Sequence, residues 1–396
     1  MYEKKRILIY RWKAYNYTDV LMAFAKLGFV CDVIEKKLDK YEDNPEFEML
    51  LNDRLNKNIY DFVFTINYFA SVSVECQKHN VPYIYWNCDS PLIAMQHNSV
   101  FNSCNVGFTF DKADVFEMNA MGVKQYYHMP LAINNERLDA LLEGFKEDIK
   151  YEDEVSFVGS LYEKNSYDKM VPSMPDYLKG YLDACMEAQI NISGGNILSR
   201  LLTVDVIDMI EKNFVLDKSD GSFSNLQIIF ANTVLGFKTA QKMRKRYLIE
   251  LSKHVPVTVY TGSDTSELIS VNCKPVVDYK MTMPFVFRES KINLNFTIPN
   301  IQTGIPLRVW DVLGAGGFLL TNHQYEIDEI FEDGKDLVCF EDERDLVAKA
   351  RYYLEHDDER KAIARSGYLK AKKHDNADRL KQMLKKAEEV LEERNA

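Results

Sequence analysis

Apolar positions along this chain fall into two alternating registers. Short stretches of five or six residues, most of them largely apolar, occur at Arg6–Tyr10, Phe29–Ile34, Asp61–Thr65, Val81–Trp86, Asn105–Phe110 and Lys124–His128. Most are bounded by Gly, Pro, Asn or Asp, which predicts short buried strands. Between them, apolar residues recur at helical spacing over about 19–27, 44–57, 69–79 and 114–121. Strand and helix alternating at this period predict a parallel sheet with right-handed crossovers, a Rossmann-like layer sandwich. The pattern breaks after Leu131-Ala132, and the polar, acidic stretch 134–154 reads as a helical linker.

The alternation then restarts. Strands are predicted at Val155–Val158, Val257–Thr261, Pro275–Asp278, Lys291–Phe296, Phe318–Thr321 and Leu337–Phe340. Helices are predicted near 175–190, 237–253, 306–314, 343–354, 358–372 and 376–393. The stretch 191–235, punctuated by Gly194-Gly195 and Gly221, reads as a helical insertion. The expected organisation is therefore an α/β chain of two domains, 1–133 and 155–375, with a final helix over 376–396 that crosses back onto the first. In open parallel sheets a ligand sits beyond the carboxyl ends of the strands. Two such domains place it in a cleft between them.

Composition narrows the function classes. The 396 residues carry 49 Lys and Arg against 60 Asp and Glu, a net charge of −11. That excludes binding nucleic acid through a broadly basic surface, but allows a local basic pocket. The seven cysteines show no CxxC spacing and the seven histidines no HExxH, so no metal or disulfide framework is expected. No apolar run reaches about 18 residues, so no integral membrane contact is expected, and the short N-terminal run predicts a cytoplasmic protein.

The motif search is mostly negative. Gly314-Ala-Gly-Gly317 has Leu319 where a dinucleotide fingerprint needs glycine, and it follows a helix and opens a strand. It reads instead as a helix end turning into a strand. No GxxxxGK[ST] or GxSxG occurs. The segment 293–311 says more: a strand ends near Phe296, a polar loop holds Gly304, and a helix opens at Pro306. Backbone N–H groups at such a helix start favour an anion. Arg308 adds a guanidinium suited to a diphosphate, and Asp311 follows on the same face with a carboxylate suited to sugar hydroxyls. The same spacing also fits an ordinary i, i+3 ion pair.

These segments resemble a known family. Residues 303–354, preceded by a strand, are similar to the C-terminal half of the spore-maturation CgeB-like glycosyltransferases of the GT-B superfamily. Residues 61–92, the strand end Phe108–Asp111 and the stretch 126–134 resemble the N-terminal domain that accompanies that family, and 156–165 its restart. The likeness covers about 55–135, 154–168 and 290–380; 190–235 is unmatched. It implies transfer of a sugar from a nucleotide sugar, UDP-linked by preference, to a protein or glycan acceptor, with closure about the linker excluding water.

The resemblance also implies roles. Gly159, Ser160 and Lys164 fall on the loop that meets the diphosphate, with Ser160 where arginine is usual. Gly262 and Ser263 pass near the nucleotide, and Tyr279 to Met283 occupy the loop that commonly holds the base. Thr303, Gly304, Ile305, Pro306, Arg308 and Asp311 form the donor-gripping segment. Asp311 takes the second acid of the superfamily's paired motif, and Thr303 stands where the first would be. Charge on the departing diphosphate would be met by amides, Arg308 and Lys164, so no divalent cation is expected. Asp89 is the candidate base for the acceptor hydroxyl, with a turn-forming Asp-Ser-Pro as its other reading. His97 and His128 stand near strand ends. The run Lys242–Tyr247 reads as a solvated helix face, and most Tyr and Phe as core. A non-catalytic sugar-nucleotide binder, an epimerase and a phosphorylase on the same fold remain open alternatives.

Overall fold

The fold follows from two sets of parallel strands, seen in a computed structural model that describes residues 5–38, 44–144, 151–214 and 221–395. The first sheet contains β1 (Arg6–Arg11), β2 (Val30–Glu35), β3 (Phe62–Ile66), β4 (Tyr83–Asn87), β5 (Asn105–Thr109) and β6 (Tyr126–His128), in the order β2-β1-β3-β4-β5-β6. The second contains β7 (Val155–Val158), β8 (Val257–Tyr260), β9 (Asn272–Lys274), β10 (Ile292–Asn295), β11 (Leu319–Asn322) and β12 (Val338–Phe340), in the order β12-β11-β10-β7-β8-β9. Every residue of β3, β4, β5, β7, β8, β10, β11 and β12 is buried. Helices cover both faces of such strands, which is why they read as continuous apolar runs rather than alternating ones.

The chain divides into two compact units. One takes in Met1–Asn134, Asp217–Asn225 and His374–Ala396; the other takes in Asn135–Leu216 and Leu226–Lys373. Part of the stretch expected as a linker, Asn135–Gly144, is a helix of the second unit, while residues 145–150 lie outside the described residues. Within 191–235 the helices Leu198–Leu201, Val204–Asn213 and Leu226–Ile229 help close a separate apolar cluster with Leu178, Leu182 and Met186. Residues 215–220 of that stretch are outside the description.

The final helix, Asn376–Asn395, belongs to the first unit. Leu380, Met383, Leu384, Ala387 and Val390 are buried at helical spacing, and this face packs on the helix Tyr17–Lys26. Asn376 N–H bonds the carbonyl of Ile133 (2.9 Å), and Lys5 pairs with Glu388 (3.0 Å).

One sequence expectation needs correction. The strand placed at Pro275–Asp278 lies earlier, at Asn272–Lys274, because Pro275 lacks the N–H that would continue the ladder. Asp278 instead folds the chain back, its carboxylate accepting from Lys280 N (3.0 Å) and Met281 N (2.7 Å) ahead of an unforeseen helix, Met283–Glu289. The glycine cluster reads as expected: Gly316 takes a left-handed φ of 84°, and a Cβ on Gly317 would lie 2.4 Å from the Phe287 carbonyl.

One buried acid in the first unit is costly. Tyr126 donates to Asp114 (2.5 Å) and Asn87 to Tyr126 (2.8 Å). Burial raises the Asp114 pKa to about 7; the Tyr126 bond opposes this and the Asp111 charge adds to it. Since the folded state holds this proton more tightly than the unfolded chain, stability from the group is full below about pH 4 and is lost as pH rises through about 7. At one pKa unit per 1.36 kcal/mol, the loss is at most on the order of 4 kcal/mol. Asp114→Asn is therefore expected to gain stability over the parent as pH rises from 4 to 8, read from denaturant midpoints. A difference independent of pH would show that Asp114 is not protonated in the fold.

Candidate functional site

The second sheet changes direction between β7 and β10. From β7 the chain builds outward through β8 and β9, and β10 then opens the other side. Crossovers on opposite faces leave a crevice at the carboxyl ends there, the usual ligand position in such sheets. Two loops, 159–165 and 296–306, leave from it.

The first loop is tied to the end of β8. Ser263 Oγ accepts from Leu161 N (2.9 Å) and stands 3.5 Å from Ser160 Oγ, while Thr261 Oγ1 accepts from Ser263 N (3.0 Å). Ser160 Oγ in turn accepts from Tyr162 N (3.0 Å). A Cβ at Gly262 would meet nothing within 4 Å, so this loop borders open space. Gly159, Ser160, Gly262 and Ser263 are thus brought together. Lys164 is exposed and has no polar partner among the described residues.

Across the crevice lies Arg244, from the helix Gly236–Ser252. Its Nη1 donates to the carbonyl of Ser160 (2.7 Å) and its Nη2 to that of Phe296 (2.8 Å), so one guanidinium bridges the exits of β7 and β10. The group lies 4.8 Å from the Tyr162 ring centre, and its Nε is buried without a protein partner. Burial lowers the Arg244 pKa; Tyr162 offsets this, and the charge of Arg308 lowers it further. Two guanidiniums therefore act on one another here, an arrangement that an anion would relieve.

Arg308 sits in the first turn of the helix Leu307–Gly314. Its Nη1 reaches Asp311 Oδ2 (3.3 Å) and Met283 Sδ (2.7 Å), and Tyr279 donates to Asp311 Oδ1 (2.8 Å). The Arg308 and Asp311 side chains are only 25% and 13% exposed, so this is a part-buried cluster rather than a solvated surface pair. Tyr279 and Met283 pack into it. Gly304, Ile305 and Pro306 lead into the helix, and the N–H groups of Leu307 and Arg308 have no acceptor within the helix.

Thr303, where the family pattern expects an acid, donates through Oγ1 to Glu326 Oε1 (2.8 Å), and Glu326 N–H returns to the Thr303 carbonyl (3.1 Å). Glu326 is 2% exposed. A carboxylate from another segment thus meets the Thr303 hydroxyl.

In the first unit, Asp89 follows β4. Asn67, in a left-handed conformation (φ 63°) after β3, donates Nδ2–H to Asp89 Oδ2 (2.6 Å) and accepts through Oδ1 from Cys88 N (2.8 Å). Asp89 keeps an exposed side chain, but protein atoms crowd its carboxyl; this desolvation raises its pKa, and the Asn67 bond opposes the rise. Ser90 donates to Asp111 (2.9 Å), so Asp89 also serves in a fixed turn. His97 accepts from Ser99 N (3.1 Å) and caps a short helix, a structural task. Among the described residues no three His, Cys, Asp or Glu side chains converge as a metal site. Among the same residues no helix is long and apolar enough to cross a membrane.

Residues 244–385 match a family model described as glycosyl transferase-like. That stretch is similar to glycosyltransferases. Solved structures extend the likeness to the whole fold. A glycosyltransferase from Rickettsia africae aligns at 12% identity and TM-score 0.51, covering 98% of this chain and 99% of that one. The Anabaena HepE protein in complex with UDP and glucose aligns at 9% and 0.52, covering 98% and 100%. Sucrose-phosphate synthase from Thermosynechococcus elongatus aligns at 9% and 0.52, covering 97% and 99%. At these identities the fold is what is shared, and it is the GT-B fold. No curated protein matches in sequence.

Sequence reasoning missed Arg244 and Glu326. Arg244 lies in the basic run taken as a solvated face. Its neighbours Lys242 and Lys245 do pair with surface acids, Lys242 at 3.6 Å from Glu187 and Lys245 at 2.8 Å from Glu267. Met243 and Tyr247 of the same run enter the core, and of its basic residues Arg244 is the one that reaches the strand exits. Ser160 in place of the usual arginine was the available signal, since a lost guanidinium asks for a replacement.

Proposed function

We propose that this protein is a glycosyltransferase that moves a sugar from a nucleoside diphosphate sugar, uridine being the favoured base, to a hydroxyl of a glycan or protein acceptor, without a divalent cation. The observation that carries the reading is Arg244, held across the exits of β7 and β10 beside Arg308 and the free amides of a helix start. Those groups stabilise negative charge as it develops on the departing diphosphate, the work a metal does elsewhere. The UDP and glucose bound by HepE support the choice of base. The motif resemblance supports placement in the CgeB-like branch.

In the reaction, the acceptor O–H gives its proton to a base as its oxygen bonds the anomeric carbon. The bond from that carbon to the diphosphate oxygen breaks, and its electron pair leaves with the diphosphate. Asp89 is the proposed base, since a raised pKa suits proton removal near neutral pH. Glu326, through Thr303, and Asp311 offer carboxylates to the sugar hydroxyls.

A thermal-shift series tests this. UDP and UDP-glucose are expected to raise Tm equally with and without EDTA. Arg308→Ala is expected to lose the shift, and Lys242→Ala to keep it. If no UDP-, GDP-, TDP- or ADP-sugar moves Tm, the reading fails; a shift abolished by EDTA overturns the metal-free part alone.

A further inference from the structure

The helix Gly236–Ser252 touches both loops of the crevice. Asn165, at the end of the first loop, donates to Gln241 Oε1 (3.3 Å), and the Tyr162 ring stacks on Phe237 (5.3 Å between ring centres, 10° between planes). Arg244 reaches the carbonyls of Ser160 and Phe296. Residues 237, 241 and 244 recur at helical spacing, so a single face meets the loops. We infer that Tyr162 is a positioning residue for the donor: its ring holds the Arg244 guanidinium where the diphosphate meets it. The inference rests on the glycosyl-transfer reading above.

The ring lies between two fixed groups. Phe237 and Arg244 stand two turns apart on one helix, about 10.5 Å along its axis. Tyr162 reaches both, with Phe237 at 5.3 Å and the guanidinium at 4.8 Å from its ring centre, so it fills the gap. The same guanidinium lies 5.4 Å from the ring centre of Phe157, which is buried and stacks on the buried Phe296. Aromatic faces attract a cation, and more strongly where water is excluded. An arginine held this way has lost its rotamer freedom before a ligand arrives, and a preorganised group binds more tightly than a free one.

The backbone shows that the ring's place is imposed. Tyr162 has a φ of 56°, a left-handed conformation that bulky side chains rarely take and glycine takes freely. Two hydrogen bonds hold the turn: Ser160 Oγ accepts from Tyr162 N (3.0 Å), and the Tyr162 carbonyl accepts from Asn165 Nδ2 (3.0 Å). Such conformations persist where the surroundings over-determine them, and they cluster at functional sites. A turn alone would suit glycine; a ring here suits the helix opposite. Ser160 completes the reasoning. The loop carries no guanidinium at that position and instead holds one from the helix, through the Ser160 carbonyl and the Tyr162 ring.

The test reads UDP affinity of the full chain by calorimetric titration, with saturation-transfer NMR for the weakest variants, beside each melting temperature. Tyr162→Ala is expected to weaken UDP about five- to tenfold, and Tyr162→Phe, which keeps the ring, less than about twofold. Tyr162→Gly relieves the backbone as it removes the ring, so it should melt above Tyr162→Ala and yet bind UDP no better. If affinity follows melting temperature instead, with glycine binding better than alanine, the role is structural and the inference is overturned. In Arg244→Ala, adding Tyr162→Ala is expected to change UDP affinity less than about twofold, because the ring acts through Arg244. A loss as large as in the parent would give the ring a ligand contact of its own and overturn the positioning role. Tyr162→Phe as weak as Tyr162→Ala, or Tyr162→Ala with the parent's affinity, also overturns it. Arg244→Ala by itself keeps the two readings apart. Unchanged UDP affinity in that variant removes the diphosphate assignment; a weakened Arg244→Ala beside an unweakened Tyr162→Ala removes only this inference.

Discussion

Arg244→Ala is expected to weaken UDP binding about 10- to 100-fold, read by calorimetric titration. A hydrogen bond to a charged group contributes about 1.5–3 kcal/mol, and each 1.4 kcal/mol is a factor of ten. The variant should also lose stability, because the carbonyls of Ser160 and Phe296 lose the donor that now joins them. Arg244→Lys separates the two effects. It keeps the charge, but a single ammonium cannot reproduce the fork that spans both carbonyls. UDP affinity should therefore fall less than in the alanine variant while the melting temperature still drops. A folded Arg244→Ala protein with unchanged UDP affinity would remove the diphosphate from this crevice.

Asp89→Asn should lower kcat by about 10²- to 10⁴-fold with little change in UDP affinity, the range typical of losing a general base. The pH profile adds a sharper reading. A base must be deprotonated, so activity falls as pH drops through its pKa, and crowding places that pKa above the ordinary carboxylate range. The Asn67 amide favours the charged form through its 2.6 Å bond. Asn67→Ala should accordingly move the acidic limb of kcat/KM to higher pH, whereas a purely structural loss would lower the whole curve without moving the limb. An Asp89→Asn enzyme of normal kcat would leave Asp89 as a turn residue only.

The sequence carried much of this directly. Eleven of the twelve strands lie where the apolar runs placed them, since a strand buried on both faces has to be written as a short, continuous apolar run. β9 did not: a three-residue edge strand with two exposed residues leaves no such run, and the apolar pair Val276-Val277 drew the prediction downstream. The helix Met283–Glu289 escaped because seven residues, five of them buried at its start, have no face pattern to read.

The candidate site divides along the same line. Arg308, Asp311 and Gly304 were legible because one loop and one helical turn set their spacing locally. So were Gly159 and Gly262, which follow strands and had to stand at the carboxyl edge. Arg244, 84 residues from Ser160, and Glu326, 23 from Thr303, were not, because which face of a helix turns inward and which acid reaches a hydroxyl depend on packing between distant segments. By itself the sequence determined the periodicity, and with it the two parallel sheets and the loops at their carboxyl ends. Only the tertiary structure decided which charges those loops receive, since a side chain's partner is set by the register of strands and helices brought together from afar.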